Sequence, residues 1–427
     1  MRLLMRDAAA SGGPVAAVFA SGHEANRNGD VDYEFRQPST FYYLTGFEEP
    51  EAVAVLRPGH KEPFVLLVRP HDPQMAIWVG TRAGIEGAVQ RYGASASHAI
   101  DELDEQLPKL LAGMRTVYFS LGADERIEKL VSRSVAQSRG AGQRGGVAIE
   151  RVADPFPFVS QLRVIKTAEE IATLQSAIDI TGAGIEATMR ATKPGMHEYE
   201  LQAILEAEYR RLGSPRNGFP SIVATGANAC TLHYTSNRAR VEHNDLVLLD
   251  TGAEVDYYGA DVSRTYPASG RFTPEQRAVY DVVHEAQRQA MAIIAPGVRF
   301  IEVHDRAVKV LVDGLRHLGV LDGRTAKLTK DGAYRPYYMH ATSHWLGMDV
   351  HDVGAYREGG ASVALRPGMV LTVEPGLYIA PDSDTPRALR GIGVRIEDDV
   401  LVTRDGHRNL SVGITSDADE LEAIVRE

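Results

Sequence analysis

The sequence has 427 residues, of which 44% are hydrophobic and 24% are charged, and its formal net charge at pH 7 is -11. This length and composition indicate a globular protein with a large hydrophobic core and two or three domains. The acidic balance, without a dense run of lysine and arginine, argues against a nucleic-acid-binding surface, and no apolar run approaches the ~20 residues that span a bilayer.

The cysteine content and the N-terminal segment predict the cellular location. Cys230 is the single cysteine, so no disulfide can form within the chain, which is typical of a reducing compartment. The apolar stretch at the N-terminus is interrupted by Asp7 and by the polar and glycine-rich residues 11–14, which is unlike a signal peptide. We therefore predict a cytoplasmic protein.

The first part of the chain alternates short strand-like runs with helical segments, as in a small α/β domain. The glycine-rich residues 138–146 are predicted to form a loop, and the Asp-Pro-Phe-Pro sequence at 154–157 is predicted to end any regular element. We place a domain boundary there, which gives an N-terminal α/β domain over residues 1–154 and a second domain over residues 155–427. The predicted strands are 15–20, 53–56, 64–68 and 116–120.

Two later segments resemble each other and indicate an internal duplication. The second domain opens with Thr167 and Glu170, which have the spacing of a capping box at the start of a helix. Downstream, residues 194–213 and 296–319 each begin with Pro-Gly, continue through an amphipathic helix and end with Leu-Gly. This pattern predicts two ααβ-type halves whose sites face each other, with chance similarity of two amphipathic helices as the alternative.

Acidic residues at strand-like positions are the first candidates for chemistry. Asp250 ends the apolar run 246–249, which is typical of a buried strand, and Asp261 lies in the next strand-like run. Two successive strands would bring these carboxylates side by side, where they repel each other unless a cation or a proton is present. The alternative for either residue alone is an aspartate at a strand end or in a turn.

The second half of the chain adds histidines and further acids. His340, His344 and His351 lie close together among apolar residues, but the glutamate of an HExxH zinc motif is missing. Glu374 interrupts a strong β-like run just before a proline. Because side chains alternate along a strand, Arg395 and Glu397 are predicted on one face, with a buried ion pair between them as the structural alternative to a catalytic role. Both residues belong to the strand-like run 392–397, which ends at Glu397.

Five of these residues form an oxygen-rich ligand set. Its four carboxylates carry the charge that two divalent ions would balance, and such ligands suit Mn²⁺, Co²⁺, Fe²⁺ or Zn²⁺. Two metals ~3.5–4 Å apart can hold a bridging hydroxide and polarise a carbonyl, which indicates a two-metal hydrolase. The predicted metal ligands are Asp250, Asp261, His344, Glu374 and Glu397.

A known family shares these motifs and others near them. The segments with family spacing lie at 233–235, 249–252, 259–265, 339–352, 372–378 and 393–398. Together they resemble aminopeptidase P, the Xaa-Pro aminopeptidase family of pita-bread metallopeptidases, and residues 39–50 are similar to the N-terminal domain of its bacterial members. The resemblance implies an α+β protein: a C-terminal pita-bread catalytic domain with duplicated ααβ-type halves, preceded by a smaller α/β domain that shapes the cleft and makes oligomer contacts.

The resemblance also implies a role for each matched residue. Asp250 and Asp261 would chelate one metal, and Asp261 would bridge to a second metal held with His344 and the two glutamates. The metals would be two divalent ions, Mn²⁺ first, with Zn²⁺, Co²⁺ or Fe²⁺ as alternatives. Glu374 would act as general base and then as general acid. The further catalytic residues would be His233, His340, His351 and Arg395, with His233 and His351 beside the scissile carbonyl.

The predicted function is hydrolysis of the bond between an N-terminal residue and a penultimate proline, through a hydroxide that bridges the two metals. The alternative is prolidase, which cleaves Xaa-Pro dipeptides with the same site. A binding module without activity is disfavoured because all five ligands are present. The expected partners are peptides with a penultimate proline and further copies of the chain in a homodimer or homotetramer, with neither nucleic acid nor membrane. Trp78 and Asp30 would approach a neighbouring subunit, with core packing as the alternative for Trp78.

Overall fold

The computed structural model describes residues 1–427, apart from the side chains of Asp7 and Ser11. The chain divides into two compact units, Met1–Val159 and Ser160–Glu427. Each has its own clusters of buried apolar side chains. Within the part of the chain that is described, every helix is too short or too polar to serve as a membrane span.

A six-stranded mixed sheet forms the centre of the first unit, and a small hairpin lies apart from it. The strands are β1 (Val15–Ala20), β2 (Asn26–Asn28), β3 (Val31–Asp32), β4 (Val53–Leu56), β5 (Phe64–Val68), β6 (Ala96–Ala99), β7 (Thr116–Tyr118) and β8 (Arg151–Ala153). The order in the sheet is β6-β5-β4-β1-β7-β8, and β2 pairs with β3. The helices are α1 (Arg2–Ser11), α2 (Ser39–Thr45), α3 (Pro73–Val79), α4 (Gly84–Gln90), α5 (Leu103–Leu111), α6 (Glu125–Gln143) and α7 (Phe156–Val164), the last crossing into the second unit.

The four strands predicted for this unit are present, and the one predicted at 116–120 is shorter and ends at Tyr118. The loop predicted over residues 138–146 is wrong for most of its length, because α6 continues to Gln143. A Cβ atom on Gly142 would lie 2.9 Å from the Cβ of Ala148, so glycine lets the returning chain pack closely against the helix. The turn itself lies at Gly145, whose φ is 82°.

The second unit combines helix pairs with short antiparallel sheets. Its helices are α8 (Ala168–Ala191), α9 (Glu198–Arg211), α10 (Pro274–Ala292), α11 (Phe300–His317), α12 (Thr325–Asp331) and α13 (Ala418–Arg426). Its strands are β9 (Arg216–Asn217), β10 (Ile222–Thr225), β11 (Leu246–Thr251), β12 (Ala253–Val255), β13 (Tyr258–Gly259), β14 (Val262–Pro267), β15 (Arg357–Glu358), β16 (Ala361–Ser362), β17 (Val370–Val373), β18 (Gly376–Ile379), β19 (Ile392–Arg395), β20 (Asp398–Val402) and β21 (His407–Asn409). The three-stranded sheets have the orders β10-β11-β14, β13-β12-β9 and β17-β20-β21.

The two Pro-Gly segments occupy equivalent places in this unit. α8 packs on α9 and α10 packs on α11. The amide of Gly195 donates to the carbonyl of Val241 at 2.8 Å, and the amide of Gly297 donates to the carbonyl of Leu365 at 2.9 Å. Both glycines have a positive φ, 99° and 92°, which glycine adopts without strain. The shared geometry supports duplication over chance similarity. The predicted capping box of Thr167 is also present at the start of α8.

A fully buried arginine joins the strands of the two halves. The Arg264 guanidinium donates to Asp398 Oδ1 at 2.7 Å, to the Glu397 carbonyl at 2.7 Å and to the Thr415 carbonyl at 2.8 Å. It also donates to the carbonyls of Ser263 and Ile414. Because its charge is buried and fully hydrogen-bonded, Arg264 fixes β14 against β20 and the segment before α13.

We expect Arg264→Met to destabilise the second unit by about 3–5 kcal/mol, because it leaves the Asp398 carboxylate buried without a counter-charge. Urea unfolding followed by tryptophan fluorescence reports on this unit, since Trp345 is fully buried within it. The matched control is Arg277→Met, which breaks ion pairs that are largely exposed and should cost about 1 kcal/mol or less. Equal losses for the two variants would contradict the structural role of Arg264.

Candidate metal centre

The acids of the site lie at the ends of paired strands. Asp250 lies near the end of β11, where it pairs with Ser263 of the antiparallel β14, and Asp261 directly precedes β14. In the other half, Glu374 directly follows β17 and Glu397 directly precedes its partner strand β20. Each half therefore presents two carboxylates from neighbouring strand ends, and Glu397 reaches the first half through a hydrogen bond from its amide to the Ser263 carbonyl, 3.1 Å.

Three of these ligands come together around one point. Single ligand atoms of Asp261, His344 and Glu397 all lie within 4.8 Å of one another. His344 Nε2 is 3.2 Å from Asp261 Oδ2 and 3.7 Å from Glu374 Oε1. His344 Nδ1 donates to the carbonyl of Trp345 at 3.1 Å, which leaves the lone pair of Nε2 free to bind a metal.

The fourth carboxylate, Asp250, is held by Arg395. Arg395 Nη2 donates to Asp250 Oδ2 at 2.5 Å, while Arg395 Nε donates to Ser263 Oγ at 3.0 Å. Ser263 Oγ in turn donates to Glu397 Oε2 at 2.7 Å. The ion pair between Arg395 and Glu397 considered from the sequence is therefore wrong as a direct contact. β19 ends at Arg395, so the alternation does not continue to Glu397, and the guanidinium reaches across to β11 instead.

Mutual repulsion in a buried space dominates the electrostatics of the site. Burial, together with the neighbouring acids, raises the pKa of Asp261 and of Glu397 well above the ordinary range. Burial raises the pKa of Glu374 to about 7, and the Asp250 charge acts in the same direction. Asp250 Oδ1 is buried without a hydrogen-bond partner in the described structure. A group of carboxylates with an unsatisfied oxygen and too little positive charge fits divalent cations.

The predicted histidines surround these acids. His340 Nδ1 is 3.4 Å from Glu374 Oε2, and His340 Nε2 is 2.8 Å from the Tyr378 hydroxyl. Burial lowers the pKa of His340 to about 3, so the ring is neutral at pH 7. The ring of His351 lies edge-on against that of His344, with 4.4 Å between centroids. His233 is exposed, and burial, followed by the neighbouring His344 and His233, lowers the pKa of His351. All nine predicted residues thus lie in or around one site: Asp250, Asp261, His344, Glu374, Glu397, His233, His340, His351 and Arg395.

Tyr378 is a site residue that sequence reasoning did not single out. Its hydroxyl accepts from Arg395 Nη1 at 3.0 Å and contacts His340 Nε2, so it connects the two predicted residues. It is almost fully buried, and burial raises the pKa of its hydroxyl to about 12. The signal available in the sequence was its place four residues after Glu374, in a strand-like run that follows a Pro-Gly pair.

Glu198 was also missed, because it follows the Pro-Gly turn like an ordinary acid in the first turn of a helix. Its carboxylate is fully buried and accepts from the donors of one loop. This segment, residues 225–239, begins at the end of β10 and carries His233, so Glu198 fixes the backbone around that histidine. The donors are the Thr225 amide and hydroxyl at 2.8 and 2.9 Å, Asn228 at 3.0 Å, and the Tyr234 hydroxyl and Ala239 amide, each at 2.8 Å.

A second buried acid holds the segment around His351. Asp352 accepts from Arg163 at 2.5 Å and from Lys166 at 2.9 Å. The side chains of all three are at most 2% exposed. Arg163 also donates to Asp349 at 2.7 Å, so cations from the start of the second unit bind both sides of His351 along the chain. Nothing in the local sequence of Arg163 and Lys166 distinguishes them from surface cations.

Comparison with known proteins matches both units to described families. The model of "Metallopeptidase family M24" matches residues 172–404, and that of "Aminopeptidase P, N-terminal domain" matches residues 4–118. The chain is 40% identical over 416 residues to the Xaa-Pro aminopeptidase of Escherichia coli K12, covering 97% of this chain and 94% of that protein. It is 38% identical over 411 residues to the Xaa-Pro aminopeptidase of Haemophilus influenzae, covering 96% and 93%.

Solved structures give the same result. The aminopeptidase PepP of Pseudomonas aeruginosa has a TM-score of 0.95 and 41% identity, with 100% of this chain and 97% of that chain covered. A variant of Escherichia coli aminopeptidase P in complex with substrate has a TM-score of 0.93 and 38% identity, with 100% and 98% covered. The fold is therefore α+β, with an N-terminal domain followed by a catalytic domain of the M24 type.

We expect the purified chain to bind about two divalent ions, the number that matches the charge of the carboxylate set. Asp261→Asn should lower the bound metal, measured by inductively coupled plasma mass spectrometry after dialysis against Mn²⁺. It should leave the far-ultraviolet circular dichroism unchanged, because the amide has nearly the shape of the acid. The matched control is the exposed Asp382→Asn, which should bind as much metal as the original chain. Equal metal content in both variants would contradict the site.

Proposed function

Because the chain belongs to metallopeptidase family M24 and carries the aminopeptidase P N-terminal domain, we propose that it removes the N-terminal residue from peptides whose second residue is proline. One observation carries the proposal. The cluster of buried acids around His344 lies in a chain that is 40% identical, over 97% of its length, to a Xaa-Pro aminopeptidase. Hydrolysis that depends on divalent metal ions is the activity that this combination of site and family supports best.

We assign the metal ions to Asp250, Asp261, His344, Glu374 and Glu397. Carboxylate oxygens and one imidazole suit Mn²⁺, which we propose as the ion used, with Zn²⁺, Co²⁺ or Fe²⁺ as possible replacements. Divalent ions bound there would polarise the scissile carbonyl and supply a nucleophile derived from water at neutral pH. The buried Asp250 Oδ1, which lacks a hydrogen-bond partner in the described structure, supports its role as a ligand.

We assign the proton transfers to Glu374. A carboxylate beside the metal ions can accept a proton from the attacking water and later release it to the leaving group. The nitrogen of the leaving proline belongs to a tertiary amide and carries no hydrogen, so it must gain a proton before the bond breaks. Glu374 lies beside His340 and His344, and it is the acid we propose to deliver that proton.

We assign the positioning of substrate to the residues around the acids. Neutral His340, the Tyr378 hydroxyl and Arg395 form a hydrogen-bonded chain that would border the proline ring. His233 and His351 lie on loops anchored by buried acids, and we propose that they contact the scissile carbonyl and stabilise the charge that develops on its oxygen. Anchoring matters here because a donor that is already in place needs no reorganisation during the reaction.

We further propose that the chain works in the cytoplasm as a homodimer or homotetramer. The single cysteine, Cys230, is free, which fits a reducing compartment. On α3, Ile77 and Trp78 are each 83% exposed and Val79 is 54% exposed, so Trp78 is not a core residue of the single chain. Three adjacent exposed apolar residues are typical of a surface that another subunit covers.

The assembly is tested by light scattering at micromolar concentration. We expect a mass of two or four chains, and we expect Trp78→Ser to shift the mass toward the monomer because it removes the largest exposed apolar side chain of α3. The matched control is Leu121→Ser, which changes a residue that is 69% exposed in the same unit and should leave the mass unchanged. A monomeric original chain would overturn the proposal.

Substrate length separates the proposed activity from that of a dipeptidase. We expect a higher kcat/KM for Xaa-Pro-Yaa tripeptides than for matched Xaa-Pro dipeptides, and poor cleavage of Xaa-Ala-Yaa. The reason is that Arg395, a cation within the site, already binds Asp250 and is not available for the carboxylate of a dipeptide. Release of the N-terminal residue is measured by chromatography, with Glu374→Gln as the inactive control. A clear advantage for dipeptides would identify a prolidase.

A further inference from the structure

A cavity of about 410 Å³ opens beside His340, outside the group of metal ligands. It lies between the start of α11 and the segment that leads to His344. Apolar and aromatic side chains form most of its wall, and Ile301 and Met339 are 41% and 49% exposed. The residues that line it are Phe300, Ile301, His304, Tyr334, Arg335 and residues 338–343.

The charge of the cavity is opposite to that of the chain as a whole. The formal net charge of the sequence is -11, yet the residues that line the cavity include the cation Arg335 and not one carboxylate. Arg335 is exposed, and it forms no ion pair with any residue that the structure describes. A free guanidinium at the mouth of an apolar cavity favours a ligand that has both an apolar part and a carboxylate.

The wall of the cavity is ordered by its own hydrogen bonds. The buried Tyr338 hydroxyl is 2.6 Å from Thr342 Oγ1, and His304 Nδ1 is 2.9 Å from the same oxygen. Ser343 also lines the cavity, and its hydroxyl is buried without a hydrogen-bond partner in the described structure. The site is thus formed before a ligand binds, and binding need not order these side chains.

His340 belongs both to this cavity and to the catalytic site. Its nitrogens contact Glu374 and Tyr378, while the residue itself lines the cavity. A tripeptide whose proline lies beside His340 must continue past it. We propose that the cavity binds the residue after the proline, with its apolar side chain against Phe300 and Ile301 and its terminal carboxylate on Arg335. This subsite rests on the proposed aminopeptidase function and would favour short peptides with an apolar third residue.

The test compares three substrates that share the first residue: Xaa-Pro-Leu as the free acid, Xaa-Pro-Leu amide and Xaa-Pro-Gly as the free acid. Arg335→Gln should lower kcat/KM for the free acid of Xaa-Pro-Leu by about 3–5-fold, which is the effect of losing one exposed charge pair. The same variant should change kcat/KM for the Xaa-Pro-Leu amide by less than about twofold. The matched control is Arg404→Gln, which changes an exposed arginine outside the cavity and should leave kcat/KM for both substrates unchanged.

Two further measurements separate the parts of the subsite. Raising the salt concentration should reduce the preference for acid over amide in the original chain and leave the Arg335→Gln variant unaffected. Ile301→Ser should reduce the preference for Xaa-Pro-Leu over Xaa-Pro-Gly. If both peptides are cleaved and Arg335→Gln changes kcat/KM equally for the free acid and the amide, or changes it for neither, the proposed subsite is wrong. The proposed aminopeptidase function would still stand in that case. If the original chain cleaves none of these peptides, the proposed function itself is wrong.

Discussion

Repulsion among four carboxylates in one buried space is the constraint around which the second unit is organised. Burial and neighbouring acids raise the pKa of Asp261 and of Glu397, and burial raises that of Glu374 to about 7. The protein itself supplies Arg395 to Asp250 and a hydroxyl to Glu397. That is too little positive charge for four ionised acids, so the site is built to be completed by divalent cations.

The internal duplication explains how such a site can be held together. Each half contributes acids from the ends of two antiparallel strands, and Arg264 joins the halves through one buried carboxylate and four carbonyls. Two further buried acids, Glu198 and Asp352, anchor the segments that carry His233 and His351. Repulsion at the centre is therefore opposed by saturated hydrogen-bond networks around it, as expected where reacting groups need fixed positions.

His340 is shared by the group of acids and the neighbouring cavity. On one side it meets Glu374, and through Tyr378 it connects with Arg395. On the other side it borders a cavity that carries positive charge and is lined by apolar residues. Because burial keeps this imidazole neutral, it can separate the two regions without adding charge to either. If the proposed subsite is correct, His340 lies between the groups that carry out the chemistry and those that bind the leaving peptide.

The sequence by itself determined four of the eight strands of the first unit, the capped start of α8, the repeated Pro-Gly segments and the identity of the residues around the site, because periodicity, glycine turns and residue chemistry are local properties. Tertiary structure alone decided which groups pair. Arg395 binds Asp250 rather than Glu397, since a guanidinium reaches across sheets as easily as along a strand. Glu198, Arg163 and Lys166 look like surface residues in the sequence, and only the fold buries their charges. Burial and long-range partners depend on contacts between distant segments, which a local pattern does not contain.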